Sequence, residues 1–219
     1  METVARTSQN DLENTITLGP RFLEAVELAA RCHVDHTRKG TQIPYLGHLL
    51  AVSGLVLQAG GDEEEAIAAL LHDVLEDRPK CVTPSEIEDG FGRRVLEIIN
   101  GCSDGLPEEP GESAERDADN WVERKTRYIA HLAEADPSML RVSCADKVDN
   151  ARAIVADLRR HGDDLWGRFN APRGQQLSYY RGLVGAFGSR RDDFGDDAVW
   201  LVDELERLVG VMGRLAEEA

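Results

Sequence analysis

The chain has 219 residues, 42% of them hydrophobic and 30% charged, with a formal charge of −16. That length suits one domain with a full core, and no apolar run approaches the roughly 20 residues of a membrane span. Twenty-five basic against 41 acidic side chains argue against a general nucleic-acid or anionic-membrane surface, since long-range repulsion opposes both, but they leave room for a local basic pocket.

Helical periodicity recurs along most of the chain, while alternating apolar runs are missing and aromatics are only 5%. An all-α fold is therefore expected. The polar start of the sequence differs from a secretory leader. The expectation is a cytoplasmic protein with a frayed segment over residues 1–18 and one compact multi-helix domain over 19–219. Pro20 opens a helix to about Arg31 with an apolar stripe of Phe22, Leu23, Val26 and Ala29. A polar loop from His36 to Tyr45 leads to an apolar helix from His48 to about Gln58, which Gly60-Gly61 breaks. Asp62 with Glu65 three residues on is an N-cap signal for a helix running to about Leu75. Thr83-Pro84-Ser85-Glu86 is a second capping box with proline at its favoured first position. Residues 102–119 hold Gly, Pro, Ser and acidic residues and read as a mobile surface loop. Helical pattern resumes over Trp121–Ala135, from Pro137 to His161, over Gln175–Phe187, and from about Asp196 onward. Cysteines 32, 81, 102 and 144 are scattered with no CxxC pair, so reduced thiols are expected, without a disulfide framework or zinc knuckle.

Most of the chemistry falls in His72-Asp73-Val74-Leu75-Glu76-Asp77. On a continuous helix His72, Asp73, Glu76 and Asp77 share an arc of about 140°. A solvated acidic helix end is the blander reading. Against it, Ala66–Leu71 is wholly apolar, so the helix enters the core just before the cluster. Adjacent buried carboxylates repel one another and call for a cation. Nitrogen beside carboxylate oxygen suits Mn²⁺, Fe²⁺ or Zn²⁺ better than Mg²⁺ or Ca²⁺. One helix end supplies too few ligands. His48 follows Pro44-Tyr45-Leu46-Gly47 and begins an apolar helix, where a buried imidazole needs a partner. Asp146 stands among apolar and small neighbours, with Asn150 one turn on; a structural Asp–Lys or Asp–Arg pair is the alternative there.

With these residues in order, the sequence resembles the HD-domain metal phosphohydrolases. More narrowly, it is similar to the hydrolase domain of the RelA/SpoT alarmone enzymes and to stand-alone small alarmone hydrolases. The resemblance runs from about Phe22 to Phe187. It is carried by Thr37-Arg38-Lys39-Gly40, by Pro44 to His48, by Ala68 to Asp77, by Trp121 to Lys125, by Ala145 to Arg152, by Asp164 to Asn170, and by Tyr179-Tyr180-Arg181. It implies His48, His72, Asp73 and Asp146 as ligands of Mn²⁺, or of another divalent transition metal. It implies Glu76 and Asp77 as the pair that positions and deprotonates the attacking water. Arg38, Lys39, Tyr45, Lys147, Asn150 and Tyr180 match positions that contact nucleotide or phosphates. Asp149 departs from the family's usual histidine or uncharged residue and would add negative charge near an anionic substrate.

The implied reaction is removal of 3′-pyrophosphate from guanosine 3′,5′-bis(diphosphate)-type alarmones, the nucleotides of the stringent response. The expected partner is thus a small nucleotide, with no nucleic acid and no membrane; the oligomeric state is left open. Three other readings stand beside it: an HD phosphohydrolase for a 5′-monophosphate or phosphorylated dinucleotide, a catalytically silent nucleotide-binding module, and a metal-stabilised interaction protein.

Overall fold

A proline at the first helical position and an apolar stripe set the first element, α1 (Pro20–Cys32). In the computed structural model, which describes residues 16–103 and 120–218, α1 buries Ala25, Leu28, Ala29 and Cys32. Phe22 and Val26 pack at the edge of the core, whereas Leu23 is 69% exposed. The expected stripe was off by one member: at 100° per residue Leu23 lies outside the arc shared by the others. α2 (Leu46–Gln58) follows the loop and ends at Ala59 and Gly60, the glycine taking φ +72°.

α3 (Glu63–Leu71) starts in the expected capping box, with Glu65 N–H donating to Asp62 Oδ1 at 3.0 Å and Asp62 N–H donating to Glu65 Oε2 at 2.8 Å. Residues 66–71 are fully buried because α1, α2 and two later helices, α6 and α8, surround α3. The helix does not run on to Leu75 as the periodicity suggested. It stops at His72-Asp73, and a separate turn, α4 (Val74–Asp77), follows. The cause is local: His72 Nδ1–H donates to the Ala69 carbonyl at 2.8 Å, a carbonyl that an uninterrupted helix would offer to the Asp73 amide.

α5 (Pro84–Phe91) opens in the Thr83–Glu86 capping box, and α6 (Arg93–Cys102) packs on α3 and α8. Residues 104–119, most of the expected mobile loop, and residues 1–15, most of the expected frayed segment, lie outside the described residues. α7 (Trp121–His131) is followed by α8 (Pro137–His161), 25 residues and roughly 37 Å long. α8 is the axis of the fold, packed by α2, α3, α6 and the last helix. A 3₁₀ segment (Gly162–Arg168), α9 (Arg173–Ser189), a short 3₁₀ turn (Arg191–Phe194) and α10 (Gly195–Glu218) complete the described chain. Among the described residues the only extended pairing is an isolated Thr37–Pro44 bridge, and no helix is long and apolar enough to cross a membrane.

One expectation about the cysteines is overturned. Cys32 and Cys81 form a disulfide with Cα atoms 5.6 Å apart, while Cys102 and Cys144 are free and buried. The two lie 49 positions apart in sequence, so spacing hid a proximity that the fold creates. The end of α1 meets the turn after α4, where Arg78 also pairs with Asp35 at 2.9 Å.

Candidate active site

Three elements deliver the central cluster. The first turn of α2 carries His48, the end of α3 carries His72, and the middle of α8 carries Asp146. One ligand atom from each lies within 4.8 Å of the others, and all three residues are buried. His48 Nε2 stands 3.2 Å and His72 Nε2 3.7 Å from Asp146 Oδ1. Neither Nε2 makes a hydrogen bond, although an unpaired buried polar atom is costly. Their Nδ1 atoms are engaged, His48 with Asp149 Oδ2 at 2.7 Å and His72 with the Ala69 carbonyl. Two orphaned nitrogens converging on one carboxylate oxygen, each backed by a partner on the other ring nitrogen, form a donor set that could hold a divalent metal ion. The residues present fit that group.

Asp73 borders the cluster, its Oδ2 3.1 Å from His72 Nε2, and accepts a hydrogen bond from the Tyr45 hydroxyl. Tyr45 thus serves a carboxylate at the centre of the site, and its ring packs against His36 and His48. Asp146 Oδ2 accepts from Lys147 Nζ at 2.5 Å and Oδ1 from Asn150 Nδ2 at 2.5 Å. The Asp–Lys pair weighed from sequence is therefore present together with the cluster.

Burial opposes the charge on Asp146, but the Lys147 ammonium and the two imidazoles outweigh it and hold its carboxyl well below the usual range. Asp73 is lowered too, with His72 overcoming its burial. Burial likewise opposes protonation of both histidines, yet Asp73 and Asp146 raise His72, and Asp146 and Asp149 raise His48. Asp77 moves the other way: burial first and the Asp73 charge second push it up to about 7. Glu76 Oε2 accepts from the Ser103 hydroxyl.

The acidic floor opens into a cleft of about 460 Å³, within the usual range for small-molecule sites. Tyr45, Glu76, Lys125, Lys147 and Asn150 border both the cleft and the acidic recess beneath it. Arg38, Lys39, Arg124, Arg160 and Tyr180 line its walls. The loop that presents Arg38 and Lys39 is closed by Arg38 N–H donating to the Ile43 carbonyl and Tyr45 N–H to the His36 carbonyl, both at 2.8 Å. Gly40 at its tip has φ +71°, and a Cβ there would meet Arg168 Cδ at 2.6 Å. Lys39 Nζ donates to Asn170 Oδ1 at 2.5 Å. Arg38 is docked on α8, donating to Asp149 Oδ2 at 2.7 Å and Asn150 Oδ1 at 3.0 Å.

The structure brings His48, His72 and Asp146 into one cluster, with Asp73, Glu76 and Asp77 around it and the six expected substrate-contacting residues on the cleft. What sequence reasoning missed is the set of contacts that Asp149 makes. As a departure from the family it adds negative charge near the cleft, but His48 and Arg38 both hold its carboxylate. Its place one turn after Asp146 was the available signal.

A helical fold wrapped around a buried His-His-Asp centre defines the class: the chain belongs to the HD domain family, whose pattern matches residues 25–176. It is similar to a guanosine-3′,5′-bis(diphosphate) 3′-pyrophosphohydrolase of Aquifex aeolicus, 34% identical over 67% of this chain and 20% of that one. It is also similar to a Xenopus tropicalis MESH1 protein of the same description, 33% identical over 66% of this chain and 73% of the relative. The chain thus matches only about a fifth of the long bacterial relative but most of the animal one. In fold it resembles the solved structure of a metazoan ortholog of SpoT, with a TM-score of 0.63 and 22% identity over 89% of this chain and 96% of that one. A Listeria monocytogenes structure gives a TM-score of 0.59 at 27% identity over 74% and 96%.

Proposed function

We propose that the chain hydrolyses guanosine 3′,5′-bis(diphosphate), or a close relative, at the 3′ position. The observation that carries this reading is the meeting of two orphaned imidazole nitrogens and Asp146 with a cleft lined by Arg38, Lys39 and Lys147. The names of the relatives support the choice of substrate.

In this reading His48, His72 and Asp146, with Asp73, hold a divalent cation, most suitably Mn²⁺ for a mixed nitrogen–oxygen set. When bound, such a cation lowers the pKa of water and offsets phosphate charge. Glu76 and Asp77 orient the attacking water and take its proton. Arg38, Lys39 and Lys147 offset charge on the phosphates, and Tyr45, Asn150 and Tyr180 shape the cleft around the nucleotide. Water oxygen bonds to the phosphorus attached to the ribose 3′ oxygen, and that P–O bond breaks. Pyrophosphate and guanosine 5′-diphosphate with a 3′ hydroxyl result. Residues 19–219 act as one domain in this proposal, in the cytoplasm, with no role for nucleic acid.

The deciding experiment incubates the protein with Mn²⁺ and a panel of nucleotides and identifies products. Pyrophosphate released from a 3′-diphosphate, and lost on chelation, is expected. Orthophosphate from a 5′-monophosphate or a phosphorylated dinucleotide, with every 3′-diphosphate intact, would move the chain to another substrate. No turnover of any nucleotide would leave a binding module.

A further inference from the structure

Asp149 Oδ2 lies 2.7 Å from His48 Nδ1 and 2.7 Å from Arg38 Nη1, so a single oxygen joins a central imidazole to an arginine of the cleft wall. The His48 side chain is fully buried, and its other nitrogen, Nε2, is the one facing Asp146 without a hydrogen bond. A carboxylate at Nδ1 favours the tautomer with the proton on that atom, which leaves the Nε2 lone pair directed at the cluster. Arg38 neutralises the carboxylate, which therefore adds no net charge beside an anionic ligand. The second guanidinium nitrogen reaches Asn150 Oδ1, and Asn150 in turn donates to Asp146 Oδ1. Arg38, Asp149, His48, Asn150 and Asp146 thus form one connected network between the cleft wall and the centre.

We propose that Asp149 is a positioning residue: it fixes the tautomer and ring orientation of His48 for metal binding and stations Arg38 over the cleft. The inference rests on the proposed metal-dependent function. Its test uses no nucleotide in the first two readouts, so its failure and the failure of that function are distinguishable.

Full-length protein labelled with ¹⁵N at histidine is stripped with chelator, and the tautomer of His48 is read from long-range ¹H–¹⁵N correlations, assigned with His48→Gln. Mn²⁺ affinity is then titrated for wild type, Asp149→Asn and Asp149→Ala. The expected result is a His48 protonated at Nδ1 in the metal-free wild type, and Mn²⁺ binding weakened about 10–100-fold in Asp149→Ala, the usual cost of losing such a partner. Asp149→Asn, which keeps an acceptor oxygen, should stay within a few-fold of wild type in Mn²⁺ affinity. It should also raise KM for the nucleotide by losing its charge pairing with Arg38. A metal-free wild type whose His48 carries its proton on Nε2 alone, with Nδ1 bare, would overturn the proposal even if Asp149→Ala fails to fold. Unchanged Mn²⁺ affinity in a folded Asp149→Ala would overturn it as well.

Discussion

Asp73 and Asp77 stand four residues apart, yet their carboxyl groups move in opposite directions. His72 stabilises the charge on Asp73, and that charge together with burial makes ionisation of Asp77 harder. Adjacent carboxylates with divergent protonation are how one site obtains both an anchor and a proton acceptor. Glu76, held by the Ser103 hydroxyl, is the third carboxylate of this group. Glu76→Gln is expected to keep Mn²⁺ affinity while kcat falls by roughly 10²–10⁴, the range for losing a general base. An unchanged kcat would assign Glu76 to structure and leave the proton to Asp77. At this scale much was legible in the sequence. His48, His72 and Asp146 stood out because each interrupts an apolar context, where a polar group needs a reason. The contacts of Asp149 were only partly legible: its place one turn after Asp146 brings it near the cluster, but its partner Arg38 lies 111 residues away.

Among the elements, the two capping boxes were readable because their hydrogen bonds close within three residues. The break at His72-Asp73 was not, because the apolar spacing continues across it to Val74 and Leu75. The junction of α1 with the following loop shows another effect that spacing alone hides. His33 Nδ1 and His36 Nδ1 are 2.9 Å apart, so one ring donates to the other, and both stack on Tyr45. Burial first and His36 second push His33 down to about 4. The unfolded chain would take up this proton near pH 6.5. Between about pH 6.5 and 4 the unfolded state therefore binds more proton at His33, and this residue's contribution to stability falls as pH drops through that window. In thermal melts His33→Asn should lose less Tm between about pH 7 and pH 5 than wild type, because the opposing upward shifts of His48, His72 and Asp77 are common to both proteins. Equal changes in the two proteins would remove His33 from the explanation.

For the molecule as a whole, the formal charge of −16 conceals a local inversion: Lys39, Lys125 and Lys147, three of the four lysines, border the cleft. A polyanion approaching this protein is repelled by most of the surface and received at one mouth, a pattern that favours selectivity over general affinity. The all-α architecture was legible from periodicity, but the Cys32–Cys81 link was not, being a product of how α1 and the turn after α4 meet. A bridge closing a loop of this length contributes about 4 kcal/mol in the chain-entropy account. Replacing both cysteines by serine should therefore lower Tm by roughly 10 °C for a chain of this size. Calorimetry on the double variant checks this, and a Tm equal to wild type would show that packing alone holds the junction.

That link also divides the site in a way the sequence order does not suggest. Arg38, Lys39, Tyr45, His48, His72, Asp73, Glu76 and Asp77 all fall between Cys32 and Cys81, inside a covalent ring, while Asp146, Asn150 and Tyr180 stand outside it. The centre is where that ring packs against a single long rod, α8. A peptide bond cut anywhere inside the ring would open the loop but leave the molecule in one covalent piece, with His48 and His72 still tethered to the rod that carries Asp146.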